Sequence, residues 1–177
     1  MSQVSEYPLK LDSKVILRLL NAHPIRSRKA LQKLVYLLQK GERVPLGLDY
    51  RMYHYGPYSR ELDHRIKMLE LLGLVEVERD INEIPTYRLA ESVASSLEPD
   101  PALDEKIVRV VDNFGQRMPN DLELVTSVHY LASQQEKIAD EERLFQEMVA
   151  WKGRKFTRRE LESGLEELRS VGYLPAK

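Results

Sequence analysis

Four histidines (His23, His54, His64 and His129) and one serine, Ser59, are the residues of this 177-residue chain whose types invite a search for catalysis or metal binding. No two of the histidines stand three or four residues apart, the spacing that would set both on one helical face. His54 and His64 flank Ser59 in sequence, but a nucleophilic serine needs a base in hydrogen-bond reach and a sharp elbow to expose it. Ser59 stands instead at the mouth of a helical pattern, where an N-cap is the simpler role. The eight glycines are dispersed as stops and turns rather than clustered before a helix, so no phosphate loop is indicated. Asp140-Glu141-Glu142 looks like a solvated helix surface. The absence of cysteine excludes disulfides, thiolate catalysis and cysteine-ligated zinc, and fits a reducing, cytoplasmic setting. We expect no enzyme, no catalytic residue, no metal and no cofactor.

Binding chemistry is the stronger prospect. A basic set, Lys152, Arg154, Lys155, Arg158 and Arg159, is interleaved with Trp151 and Phe156, a composition that suits nucleic acid. It also suits a basic loop offsetting the acidic stretch before it, which is the favoured reading. A second set, Arg26, Arg28, Lys29, Lys33 and Lys40, surrounds a helix. The whole chain carries 27 basic and 28 acidic residues, a balance that argues against a dedicated polyphosphate grip.

The elements that must position these groups follow from periodicity. "DSKVILRLLNA" places Val15, Ile16, Leu19 and Leu20 on one stripe, with Asp12 or Ser13 as cap and Pro24 ending the helix. Ser27 caps a second helix striped by Leu31, Leu34, Val35 and Leu38, with Arg28, Lys29, Gln32, Lys33, Gln39 and Lys40 mostly toward water and Gly41 as its stop. "DYRMYHY" alternates like a strand. Gly56-Pro57 breaks it, turning an edge strand into a third helix that Ser59 caps, with Leu62, Ile66, Leu69 and Leu72 buried and Gly73 closing it. "LVEVERDINEIPTYRLA" is a β-hairpin. The order, three helices and then a ribbon, is that of a winged helix-turn-helix. After "LEPDP" the chain is wholly helical. Asp100 caps one helix, Asn120 and Glu123 have capping-box spacing at the next, and Thr157 and Glu160 repeat that spacing at the last. That last helix echoes the third, Arg159-Glu160-Leu161 matching Arg60-Glu61-Leu62 and Gly172 matching Gly73. Two helices obeying the same capping and stop rules explain the echo more simply than a repeated unit.

"ALQKLVYLLQK" followed by "YHYGPYSRELDHRIKMLELLGLVEV" resembles the YwgA-type family and, more distantly, the Panacea domain of many antitoxins. The pairing of Leu31-Gln32-Lys33-Leu34-Val35-Tyr36 with Tyr55-Gly56-Pro57-Tyr58-Ser59 carries the resemblance, with "LVTSVHYL" and "ELRSVGYL" supporting it, from about Ser27 to Leu174. It implies a partner protein rather than a substrate. The turn itself, Tyr55, Gly56, Pro57, Tyr58 and Ser59, is favoured as a folding device over an exposed aromatic binding surface.

The expected architecture is therefore mainly α with a small β-hairpin: a winged helix-turn-helix-like domain over residues 1–98, then a helical region over 99–177, read alternatively as a degenerate second helix-turn-helix unit. The expected function is a non-enzymatic protein-interaction module, antitoxin- or adaptor-like. The alternative is a DNA-binding transcriptional regulator making contact through Arg60, His64, Lys67, Lys152, Arg154, Lys155, Arg158 and Arg159, with homodimerisation through the helical half. No stretch approaches the ~18–20 apolar residues of a membrane helix, and "MSQVSEYPLK" lacks the apolar core of a signal peptide.

Overall fold

A computed structural model describes residues 9–134 and 140–176; the N-terminal segment 1–8 and the start of the acidic stretch, at 135–139, lie outside the described residues. The chain is mainly helical with two small antiparallel sheets. Helix α1 (Leu11–Ala22) starts one residue earlier than its expected caps. Asp12 therefore lies in the first turn, where it accepts from the Ser13 backbone and pairs with Arg65 at 2.9 Å. Strand β1 (Ile25–Arg26) follows, then α2 (Arg28–Lys40), capped by Ser27 as expected.

Helix α2 is where the sequence reading is most strongly corrected. Its apolar residues run almost unbroken from Ala30 to Leu38, and a helix apolar on nearly all sides belongs at the centre. Gln32 and Lys33, expected in water, are buried there. Gln32 clasps the Ser59 backbone, donating to its carbonyl at 2.9 Å and accepting its N–H at 3.0 Å. One heptad on, Gln39 holds Leu48 in the same way at 2.8 and 2.9 Å. Each glutamine thus satisfies backbone groups of an extended segment that a helix face alone would leave unpaired. Gly41 ends α2, but with right-handed backbone. Its missing side chain makes room for Tyr173, whose ring lies 2.6 Å from where a Cβ would sit.

Strands β2 (Arg51–Tyr53) and β3 (Gly56–Tyr58) form a hairpin. Gly56-Pro57 therefore does not end the extended structure; the chain reverses one step earlier, at His54-Tyr55, and glycine and proline lie in the return strand. Proline is tolerated because both strands of a two-stranded sheet are edges. Helix α3 (Arg60–Leu71) then begins behind the Ser59 cap, where Leu62 N–H donates to Ser59 Oγ at 3.3 Å. Strands β4 (Val75–Arg79) and β5 (Pro85–Leu89) pair in full register, and β1 adds to β5, giving the order β1-β5-β4.

A short α4 (Glu91–Ala94) leads to α5 (Pro101–Val110), capped by Asp100, which passes into a π-helical turn over Val111–Gly115. Helix α6 (Pro119–Ser133) starts at its proline with no side-chain cap. Asn120 and Glu123 form no capping box, and Glu123 is turned to another purpose. Helices α7 (Glu141–Lys152) and α8 (Arg158–Ser170) complete the chain, α8 with the expected Thr157–Glu160 capping box. The echo between α3 and α8 extends to their ends. Gly73 and Gly172 are both left-handed, at φ 69° and 77°, and Leu74 and Tyr173 donate back to Leu69 and Leu168. Helix α6 packs on α2, β3, α7 and α8, and α5 packs on α1 and α2. Buried side chains from residues 9–98 and from 99–176 thereby join one hydrophobic cluster.

Candidate functional site

The β2–β3 hairpin and the start of α2 enclose a groove of about 300 Å³, lined by Arg28, Lys29, Lys33, Tyr53, Tyr55 and Tyr58 among others. Its base is set by Gly56, at φ 85°, whose absent Cβ would lie 2.9 Å from Ser127 Oγ on α6. Glycine is required there twice over, by its backbone conformation and by the closeness of α6.

Glu123 of α6 lies fully buried beside this hairpin and gathers three lysines from distant parts of the chain. Lys29 reaches it at 3.3 Å, Lys152 at 3.2 Å, and Lys155 contacts both carboxylate oxygens at 2.9 Å. Lys152, with its side chain almost wholly buried, also donates to the carbonyls of Tyr53 and His54, tying the α7 end to the hairpin turn. Lys33 donates to the Pro57 carbonyl at 2.5 Å. Lys29 also lies over the Tyr55 ring, 4.1 Å from its centre, with Lys155 5.8 Å away.

The electrostatics follow. Burial pushes the Glu123 carboxyl up, but bonds from Lys155 and Lys152 outweigh it and hold the group below the usual carboxylate range. Lys33 goes the other way. Burial, reinforced by Lys152 and Lys29 and only partly opposed by Glu123, brings it down to about 7. Lys152 is lowered as well, chiefly by burial.

The structure thus brings Lys152 and Lys155 to the Tyr55 turn and sends the rest of their set elsewhere. Arg158 pairs with Glu142 and stacks on Phe145, while Arg154 and Arg159 are exposed. Arg60, His64 and Lys67 are exposed on α3, and Lys67 shares Asp63 with Arg28. Ser59 is buried, and among the described residues no imidazole bonds its hydroxyl; His54 lines the groove. Glu61 and His64 share a helical spacing, yet Glu61 accepts the Asp49 N–H, and no group of three or more metal-ligating side chains forms among the described residues. Sequence reasoning grouped Lys29 with Lys33 but did not bring Glu123 to them. The only available signal was a glutamate and two lysines interrupting otherwise apolar helices.

Met68 and Leu71, on the same outer face of α3, and Leu72 at its end are also exposed, Leu71 at 82%. The β4–β5 ribbon carries Glu76, Glu78, Asp80 and Glu83 against Arg79 and Arg88, with Ile81 at its tip 98% exposed. Among the described residues no helix is long and apolar enough to cross a membrane.

No family model matches the sequence. The chain is 31% identical over 150 residues to a DNA ADP-ribosyl glycohydrolase of Thermus aquaticus (strain ATCC BAA-2747 / Y51MC23), a match spanning 81% of this chain and 41% of that protein. It is 30% identical over 169 residues to YwgA, an uncharacterised protein of Bacillus subtilis (strain 168), and this match takes in 92% of the chain and 99% of its relative. With the two sequences aligned over nearly their whole lengths, the chain belongs to the YwgA family.

Proposed function

We propose that this chain is a non-enzymatic protein-interaction module, antitoxin- or adaptor-like, in which α1, α2, α3 and the β4–β5 ribbon serve as a winged-helix core used for protein contact. One observation carries the reading. The outer face of α3, which in a DNA reader would present cations to phosphates, sets exposed Met68 and Leu71 among Arg60, His64 and Lys67, with exposed Leu72 just past the helix end. The adjoining ribbon is acidic, and carboxylates near a phosphate backbone are repelled. Such a surface suits a partner whose apolar patch is rimmed by cations. The Panacea resemblance supports a protein partner.

The alternative is a DNA-binding regulator using Arg60, His64 and Lys67. Titrating a mixed-sequence duplex at rising salt separates the two. The interaction module shows no duplex affinity above background, and Arg60→Glu changes nothing. Binding that weakens steeply with salt and is lost in Arg60→Glu establishes the regulator instead.

A further inference from the structure

Lys29, Lys33, Lys152 and Lys155 converge beside the tyrosine groove, and Glu123 is the one carboxylate bonded to them among the described residues. Four ammonium groups against one carboxylate leave a surplus of three positive charges, or two when Lys33 is neutral. Lys29 lines the groove and Lys155 lies beside it, their side chains a quarter and a third open to solvent. Beside them, the rings of Tyr53, Tyr55 and Tyr58 form an aromatic wall, Tyr53 and Tyr58 meeting edge to face at 5.5 Å. The volume, about 300 Å³, is at the small end of ligand sites.

We propose that this groove binds a 5′-nucleotide, its phosphate held by Lys29 and Lys155 and its base laid against the tyrosine wall. A terminal phosphate carries a charge of about −1.5 to −2 near neutral pH, which matches the surplus; a single peptide carboxylate does not. Tyrosine faces accept any base by stacking. The site is independent of the interaction reading, since it uses the β2–β3 hairpin and none of the exposed residues of α3.

The test is calorimetric titration of the full chain with 5′-AMP, adenosine and inorganic phosphate. 5′-AMP binds about tenfold or more tighter than either fragment, and Lys29→Gln and Lys155→Gln each weaken it about tenfold, as loss of a charge-assisted bond should. A 5′-phosphorylated single strand distinguishes the sources. Tighter binding than 5′-AMP identifies a strand terminus, and equal binding a free nucleotide; both support the site. Amide shift changes in the wild-type protein, confined to residues 53–58, Lys29 and Lys155, give a readout that needs no variant. Absence of binding, equal affinity for phosphate and 5′-AMP, equal affinity for adenosine and 5′-AMP, or an acidic tyrosine-containing peptide binding as tightly as 5′-AMP each overturns the proposal.

Discussion

The molecule contains two β-ribbons of opposite character. The β2–β3 hairpin is short, held at its base by α6 and α2, and surrounded by lysines that meet at Glu123. The β4–β5 ribbon is longer, tied to the body through β1 and α1, and ends in exposed carboxylates and Ile81. The same secondary structure is thus used once as a clasp that concentrates positive charge and once as an exposed ribbon that carries more negative charge than positive. Opposite fields on one small chain attract ligands of opposite charge to its two surfaces. A near-zero net charge hides this completely.

The contrast can be broken most severely at Glu123. Glu123→Ala leaves Lys152 buried without a counter-charge, and loss of one partner from a buried ionic cluster costs roughly 3–5 kcal/mol. Urea unfolding should show that loss. The same substitution at Glu78, exposed on the other ribbon and 3.5 Å from Arg88, should change stability by no more than about 0.5 kcal/mol. If both cost the same, the clasp and the exposed ribbon do not differ as described.

Acid should weaken the body that supports the clasp. His129 of α6 shares a hydrogen bond of 2.8 Å between its Nδ1 and the Tyr36 hydroxyl, and burial lowers its pKa to about 4, with the Tyr173 backbone pulling the other way. A base whose folded pKa is depressed binds protons more readily when unfolded. Its contribution is therefore intact above its ordinary value of 6.5 and is lost as pH falls toward 4, by about 3 kcal/mol in all. Thermal melts of wild type and His129→Gln across that range check this; the wild-type curve should fall more steeply.

Gly56→Ala forces a side chain into left-handed backbone and against Ser127 Oγ, at a cost of about 1–3 kcal/mol. Ser59→Ala removes only the α3 cap, while Gln32 still holds the backbone, and should cost about 1 kcal/mol. Denaturant midpoints for the pair rank the turn above the cap.

What was legible in the sequence was local. Ser27, Ser59, Asp100 and the Thr157–Glu160 box cap as expected, because a cap is satisfied within three residues of itself. The ribbon and the glycine stops at Gly73 and Gly172 also stand. The failures were at long range. Lys33 and Gln32 look solvent-facing until Pro57 and Ser59, more than twenty residues on, supply carbonyls for them. Glu123 has a capping-box spacing, but its partners come from α2 and the α7 end, which periodicity cannot pair. Strand β1 is two residues long and leaves no pattern at all.

The division of labour between the two surfaces is tested most directly by photo-crosslinking in the native host, from a reactive residue placed at Leu71 and, as a control, at exposed Arg154. The predicted result is one discrete protein adduct from position 71, absent from position 154 and abolished by Met68→Glu. Adducts to nucleic acid from position 71, or a protein adduct indifferent to Met68→Glu, would contradict it.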